Sequence, residues 1–150
     1  MKPIAAQRWL PLTVLVCVLS NAVAQLTPAS RQPIVGARMP ALSPDGKQLA
    51  FVYRGDIWLA PATGGPAIAL TQHIETDAYP VFSPDGKWVA FASQRSGNWD
   101  IFAVPVEGGP ARQLTWHSGS DLPQGWSPDG RHLLIHGENR VLYVFRLAAM

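Results

Sequence analysis

The tetrapeptide Ser-Pro-Asp-Gly occurs three times in this chain of 150 residues, at 43–46, 83–86 and 127–130. The spacings of 40 and 44 residues are typical of proteins built from repeated structural units. The segments around the first two copies also correspond. Residues 40–53 and 80–93 share 8 of 14 positions, and residues 56–73 and 100–117 share 10 of 18. The chain therefore contains an internal duplication, which constrains its fold more than any other feature.

Each of the first two units has the residue pattern of four short strands. In Ser-Pro-Asp-Gly, Pro and Asp suit the central positions of a turn and Gly supplies the positive φ that closes a bulged hairpin, so this turn joins the first two strands. The second strand, at 49–52 or 89–92, is apolar at successive positions, which indicates burial on both faces. The third strand begins at Asp56 or Asp100, and a Gly-Gly pair then turns the chain into a short fourth strand.

These patterns predict an all-β fold. After residue 24, no stretch of ten residues keeps a 3.6-residue apolar period without Gly or Pro. Units of four strands that are buried on both faces are typical of β-propeller blades, with a β-sandwich as the alternative. The third unit lacks the Gly-Gly and Leu-Thr pairs of the first two. We therefore predict a partial β-propeller of two complete four-stranded blades plus an incomplete third, with blades at about 39–78, 79–122 and 123–150.

Two open blade faces would expose apolar surface, and propellers close with at least four blades. We therefore expect the chain to be the N-terminal part of a longer protein. Its own N-terminus reads as a signal peptide over residues 1–24, with Lys2 and Arg8 before an apolar run and Ala-Val-Ala at 22–24. The run is too short for a stable membrane anchor, which is the alternative interpretation. Residues 25–38 would form a linker or edge segment, and the protein would be periplasmic or secreted.

The charge balance excludes a large electrostatic surface. The whole chain carries a formal net charge of +2, but removal of the two basic residues before position 24 leaves ten basic and ten acidic side chains. A nucleic-acid partner is therefore not expected. The chain has one cysteine, Cys17, which lies inside the predicted signal peptide. The mature protein would then contain no disulfide and no thiolate metal site.

Several landmarks recur in register around the turn tetrapeptide: a preceding Pro, Ala-Phe, Asp-Ile-aromatic, Gly-Gly and Leu-Thr. Over about residues 39–138, this combination resembles the WD-repeat-like blades of the TolB family. Residues 55–58, 95–100 and 114–117 are more similar still to the N-terminal propeller of secreted tricorn-type serine proteases. The resemblance is specific for the blade and far less so for an activity, because similar blades serve many functions.

The resemblance implies that catalytic groups lie in domains after the propeller. We therefore expect an exported binding or substrate-gating module, the N-terminal part of a tricorn-type serine peptidase whose catalytic region is not in this chain. The alternative is a non-enzymatic, periplasmic TolB-like protein-interaction module. The expected partner is a peptide or protein ligand, or further blades and downstream domains of the same protein.

Most of the recurring polar residues have structural interpretations. The turn residues should bond to the backbone or supply positive φ, and they are Asp45, Gly46, Asp85, Gly86, Asp129 and Gly130. Asp56 and Asp100 begin strands, where Asp is disfavoured, so we expect each to make a specific hydrogen bond to a neighbouring blade or turn. His73 and His117 each precede an Asp by four residues, and hydrogen bonding within the connecting loop is favoured over a metal site there.

Large side chains divide into two groups. Leu42, Phe82 and Trp126 align and are predicted core positions. Trp88, Trp99 and Trp116 belong to the second unit, at positions that are polar or missing in the first. They are possible ligand or domain contacts, the alternative being that they cover an adjacent blade. No catalytic residue, cofactor site or metal site is predicted, since a triad within 117–121 would require side chains close along one loop to reach an improbable geometry.

Overall fold

The computed structural model describes residues 33–137 and 142–146, which belong to one compact unit. The predicted signal peptide and most of the predicted linker lie outside the described residues. Within them the chain forms eleven β-strands and no helix, which confirms the all-β prediction. Among the described residues, no helix is long and apolar enough to cross a membrane.

The strands form three antiparallel sheets in which strands adjacent in sequence are hydrogen-bonded neighbours. The first sheet contains β1 (Arg38–Leu42), β2 (Gln48–Tyr53), β3 (Asp56–Pro61) and β4 (Ile68–Ala69). The second sheet contains β5 (Asp77–Phe82), β6 (Trp88–Ser93), β7 (Asp100–Pro105) and β8 (Arg112–Gln113). The third sheet contains β9 (Leu122–Trp126), β10 (His132–His136) and β11 (Leu142–Arg146). Two four-stranded sheets followed by a three-stranded one fit the predicted partial propeller.

The three Ser-Pro-Asp-Gly turns have one hydrogen-bonding scheme. In the first, Asp45 Oδ1 accepts from the Ser43 hydroxyl at 2.6 Å and from the Lys47 backbone N–H at 3.0 Å. Asp85 and Asp129 accept the equivalent bonds in their own turns. The serine hydroxyl is the main reason that the pKa of each of these carboxyls lies below its ordinary value.

The turns also stack on one another along the protein. A Cβ built on Gly86 would lie 3.9 Å from Cδ of Pro44, and one on Gly130 would lie 3.9 Å from Cδ of Pro84. The φ angles of Gly46, Gly86 and Gly130 are close to +70°. Glycine is therefore required there by the backbone conformation, and its neighbour in the stack is the proline of the preceding turn.

Two apolar clusters hold the three sheets together. The cluster between the first and second sheets contains Val52, Ile57, Val89 and Phe91 among others, and the cluster between the second and third contains Ala90, Ile101 and Leu133 among others. Along β6, Val89 and Phe91 belong to the first cluster, and Ala90 between them belongs to the second. Both faces of that strand are therefore buried, as the run of apolar residues predicts.

The three predicted equivalent core positions have different environments. Phe82 is 9% exposed and belongs to the first cluster, and Trp126 is half-buried against the second. Leu42, however, is 58% exposed, so its prediction as a core residue is wrong. The reason is that the described residues place another sheet against only one face of the first sheet.

The first strands of the sheets lie side by side, with β1 next to β5 and β5 next to β9. We call the side formed by these three strands the inner edge. Each of them has a bulge in its pairing with the second strand of its sheet, between Arg38 and Ala41, between Ala78 and Val81, and between Pro123 and Gly125. A bulge bends a strand and changes the direction of its extra side chain.

Candidate interaction surface at the crossover end of the second sheet

The segments that cross from one sheet to the next are held by repeated backbone contacts. The N–H of Asp77 donates to the Gly55 carbonyl at 2.7 Å, and the N–H of Asp121 donates to the Trp99 carbonyl at 2.6 Å. In addition, Thr71 Oγ1 accepts from the Ile57 N–H and Thr115 Oγ1 from the Ile101 N–H, each at 2.9 Å. Each crossover is therefore tied to the turn between the second and third strands of its own sheet.

Asp56 and Asp100 reinforce this end of the two sheets. Asp56 Oδ1 accepts from the His73 backbone N–H at 3.0 Å and lies 3.4 Å from the Thr71 hydroxyl. Asp100 is buried, and its Oδ2 accepts from the Gln113 side-chain amide at 3.0 Å. The partners of both carboxylates belong to the same sheet or to the crossover that follows it, rather than to a neighbouring sheet.

The second sheet differs from the first in its loop between the second and third strands. The loop covers residues 94–99, and together with the crossover at 114–121 it forms what we call the crossover surface. The side-chain amide of Asn98 donates to the His117 carbonyl at 2.8 Å and to the Gly119 carbonyl at 2.7 Å. His117 Nδ1 in turn accepts from the Gly119 N–H at 3.0 Å. These bonds join the loop to the crossover and restrict the motion of both.

Trp116 lies on this fixed crossover and is 72% exposed. Its equivalent in the first crossover is Gln72. A large aromatic side chain left in solvent on a hydrogen-bonded loop can bury much apolar area on a partner with little further loss of conformational freedom.

The other two candidate tryptophans are not free surface groups. Trp99 is half-buried, packs against the cluster between the first two sheets, and meets the ring of Tyr79 edge-on at 6.3 Å between centroids. Trp88 is half-buried against the second cluster, and the Arg112 guanidinium lies 5.5 Å from its ring centroid. Trp88 also lines a surface cleft of about 310 Å³ with Lys87, Val106 and Glu107.

The histidines of the crossovers bond to their own loops. His73 Nδ1 accepts from the Glu75 N–H at 3.1 Å, as His117 Nδ1 does from Gly119. In the part of the chain that the structure describes, no group of three His, Cys, Asp or Glu side chains is arranged to hold a metal ion. The crossover surface has the geometry of a contact site and not of a metal centre.

The ion pair between the partly exposed Arg95 and the buried Asp77 has no signal in the repeat pattern. Arg95 Nη2 lies 2.9 Å from both carboxylate oxygens of Asp77, whose side chain is 0% exposed, and Arg95 Nε donates to Ser93 Oγ at 2.8 Å. The guanidinium also lies 4.6 Å from the ring centroid of Phe102. Arg95 therefore ties the long loop to the start of β5. The one available sequence signal was that Arg95 lies in the insertion that distinguishes the second unit.

Arg95 also lines a cavity between the first and second sheets. The cavity has a volume of about 220 Å³, and its wall includes Thr71 and Gln72 from the first crossover and Gly109 and Pro110 from the turn before β8.

Asp121 occupies the position of Asp77 in the third unit, since each precedes the turn serine by six residues. Burial raises the pKa of the Asp121 carboxyl above its ordinary value, and the Thr115 hydroxyl and the His117 side chain oppose that rise. No described lysine or arginine forms an ion pair with it. Equivalent aspartates thus have different electrostatic environments in successive units: Asp77 is paired with Arg95, whereas burial disfavours the ionised form of Asp121.

Solved structures with the same fold include propellers of two kinds. A putative TolB from Agrobacterium tumefaciens matches with a TM-score of 0.66 and 27% sequence identity, over 73% of this chain and 41% of that one. TolB from Acinetobacter baumannii matches with a TM-score of 0.58 and 21% identity, over 75% and 33%. The tricorn protease matches with a TM-score of 0.61 and 22% identity, over 72% and 12%. The chain thus spans less than half the length of each of these relatives.

A search of curated proteins finds no match. The family model of the tricorn protease N-terminal beta propeller domain, however, matches residues 35–146, which is most of the chain and nearly all of its described part. That match agrees with the three-sheet architecture and with the repeated turns, so the chain belongs to the family of tricorn protease N-terminal β-propeller domains.

Proposed function

We propose that this chain is an exported propeller module that binds a peptide or a protein through the crossover surface. The observation that carries the proposal is the exposure of Trp116 on a loop held by the two Asn98 hydrogen bonds. Tryptophan is enriched among the residues that dominate binding energies at protein interfaces. The pattern of residues 1–24 supports export, and with it a periplasmic or secreted location.

The chemistry of the surface favours a partner with both apolar and hydrogen-bonding groups. Trp116 offers an apolar ring and an indole N–H, and His117 beside it is also exposed. The absence of a concentrated positive charge in the sequence disfavours nucleic acid. A peptide or an unstructured protein segment combines the required groups.

Membership of the tricorn family supports a more specific role. In this proposal the module admits or positions peptides for a serine nucleophile carried by a later domain of the same protein. The open face of the first sheet, where Leu42 is exposed, would be covered by a further blade of that protein.

The binding proposal is tested with an array of unmodified synthetic 15-residue peptides probed with the purified chain. The Trp116→Ala variant is expected to lose at least tenfold in apparent affinity, because truncation of a central aromatic contact costs about 2 kcal/mol or more. Gln72→Ala at the equivalent position of the first crossover is the matched control and should bind as the unmodified chain does. Unchanged binding by Trp116→Ala would refute the proposed surface.

The 27% identity to the putative TolB favours a second candidate function. In that case the propeller docks a folded partner protein and no peptidase domain belongs to it. Sequencing the reading frame beyond codon 150 separates the two candidates. A peptidase region supports the tricorn-type role, whereas completion of a propeller with no further domain supports the TolB-like role.

A further inference from the structure

The bulges of the inner edge present one exposed side chain from each sheet. Met39 in β1, Tyr79 in β5 and Gln124 in β9 lie within the bulges, and all three are exposed. Met39 and Tyr79 are equivalent in the repeat, four residues before the turn serine, whereas Gln124 lies three residues before its own turn serine. Because β1, β5 and β9 lie side by side, one bulge from each of the three sheets lies on the inner edge. Their side chains differ in chemistry although the surrounding strands repeat.

Two of these residues are held in a backbone conformation that their side chains disfavour. The φ angle is +53° at Met39 and +56° at Tyr79, and bulky residues rarely adopt such values. Glycine would meet the same backbone requirement without strain. Large side chains retained at strained positions are typical of functional sites, where the side chain matters more than the local cost.

Tyr79 has in addition a support that fixes its ring. Trp99 meets it edge-on, with an angle of 82° between the ring planes, and Trp99 itself packs against the cluster between the first two sheets. Although it is 36% exposed, the Tyr79 ring therefore has a defined position. A supported aromatic ring at an exposed edge is suited to contact a ligand without losing much conformational freedom.

The same strands are protected against pairing with an added strand. A proline adjoins each bulge position, namely Pro40, Pro80 and Pro123, and proline has no N–H to donate to a neighbouring strand. A ligand on the inner edge would thus be recognised through side chains. Tyr79 and Gln124 can each donate and accept a hydrogen bond, Met39 offers apolar contact, and Arg38 is the one exposed charge among the described strands of this edge.

We infer that Met39, Tyr79 and Gln124 form a second contact site, which selects extended and largely uncharged peptide segments that pass along the inner edge. Such segments present main-chain donors and acceptors to Tyr79 and Gln124 and apolar side chains to Met39. This site does not include Trp116, although Trp99 of the crossover surface supports the Tyr79 ring. Variants at the inner edge change which peptides bind, whereas Trp116→Ala weakens binding irrespective of peptide sequence.

The strain provides a test with two readouts, the unfolding temperature and the binding of the peptide array. Met39→Gly and Tyr79→Gly relieve an unfavourable φ and remove the proposed contact. Arg54→Gly is the matched control, because Arg54 has a φ of +54° in the turn between β2 and β3 and is not one of the proposed contact residues. We expect all three variants to unfold at or above the temperature of the unmodified chain, and only the inner-edge variants to lose binding, by tenfold or more for uncharged peptides.

Tyr79→Phe provides a second arm in case Tyr79→Gly unfolds at a lower temperature. It keeps the ring that contacts Trp99 and removes only the hydroxyl, and Gln124→Ala removes the neighbouring amide. Both should leave the unfolding temperature unchanged and alter the ranking of peptides on the array. An unchanged ranking in both variants, or an unmodified chain that retains no peptide, would overturn the inference.

Discussion

The first and second sheets share more than half of their aligned residues, yet only the second is covered on both faces by described strands. Leu42 and Phe82 occupy the same position in the repeat, but Leu42 is 58% exposed and Phe82 is 9% exposed. The second sheet also has the longer loop, with Arg95, Asn98 and Trp99. The comparison shows that the repeat specifies the sheet, whereas the neighbours of the sheet decide what each side chain contributes.

The largest expected difference between the two sheets concerns these equivalent positions. Phe82→Ala should lower the free energy of unfolding by about 3–4 kcal/mol, because it leaves a cavity between the first two sheets. Leu42→Ala should change it by no more than about 0.5 kcal/mol, since the side chain is largely in solvent. Urea denaturation of both variants measures the two values. Equal losses would contradict the difference in burial, because Leu42 would then have to be covered as Phe82 is.

A somewhat smaller difference is expected for the arginines in the loops between the second and third strands. Arg95→Ala would leave the buried Asp77 carboxylate without its cation and should destabilise the protein by about 3 kcal/mol. Arg54→Ala in the first sheet should have an effect of about 0.5 kcal/mol or less, because Arg54 is exposed. Both are measured by the same denaturation experiment.

The double variant Arg95→Ala with Asp77→Asn sharpens this test. It removes the uncompensated charge and should recover part of the loss, since the cost arises from an unpaired carboxylate and not only from lost packing. If the loss in the free energy of unfolding of the double variant equalled the sum of the losses of the two single variants, the ion pair would not be the reason for the effect.

The smallest expected effect is the pH-dependent gain in stability on replacing Asp121, which, unlike Asp77, forms no ion pair with a described lysine or arginine. The folded-state pKa of Asp121 is raised, so the ionised carboxyl costs stability above that pKa and costs nothing when the group is protonated in both states. Asp121→Asn should therefore be more stable than the unmodified chain at pH 7, and the difference should disappear as the pH falls below the ordinary pKa of an aspartate. Thermal unfolding from pH 3 to pH 7 measures it. A difference that grows towards low pH would contradict the assignment of burial as the cause.

The fold class and the positions of the turns could be predicted from the sequence. β3 begins at Asp56, as the pattern predicts, and ends at Pro61, because the residues that form turns act over a few positions of the chain. The fourth strands, predicted to be short, have two residues each and end just before the Leu-Thr pairs. The strand β11 does not begin with the Asp-Ile pair that marks the third strands of the other two units, so the sequence pattern does not predict it.

The candidate site was less accessible to sequence reasoning. The pattern singled out three tryptophans, but it could not separate the exposed Trp116 from the half-buried Trp88 and Trp99. The bond between Arg95 and Asp77 joins residues 18 positions apart, and no periodic pattern indicates it. The strained conformation of Tyr79 likewise depends on how β5 pairs with β6.

Local sequence accounts for the repeating unit, its antiparallel strands and its turns, because proline, aspartate and glycine constrain the backbone within a few residues. The stacking of the sheets decided which apolar faces are buried, which aromatic side chains remain in solvent and which carboxylates find a cation. Those outcomes depend on contacts between residues far apart in the chain, so identical positions in successive repeats acquire different environments.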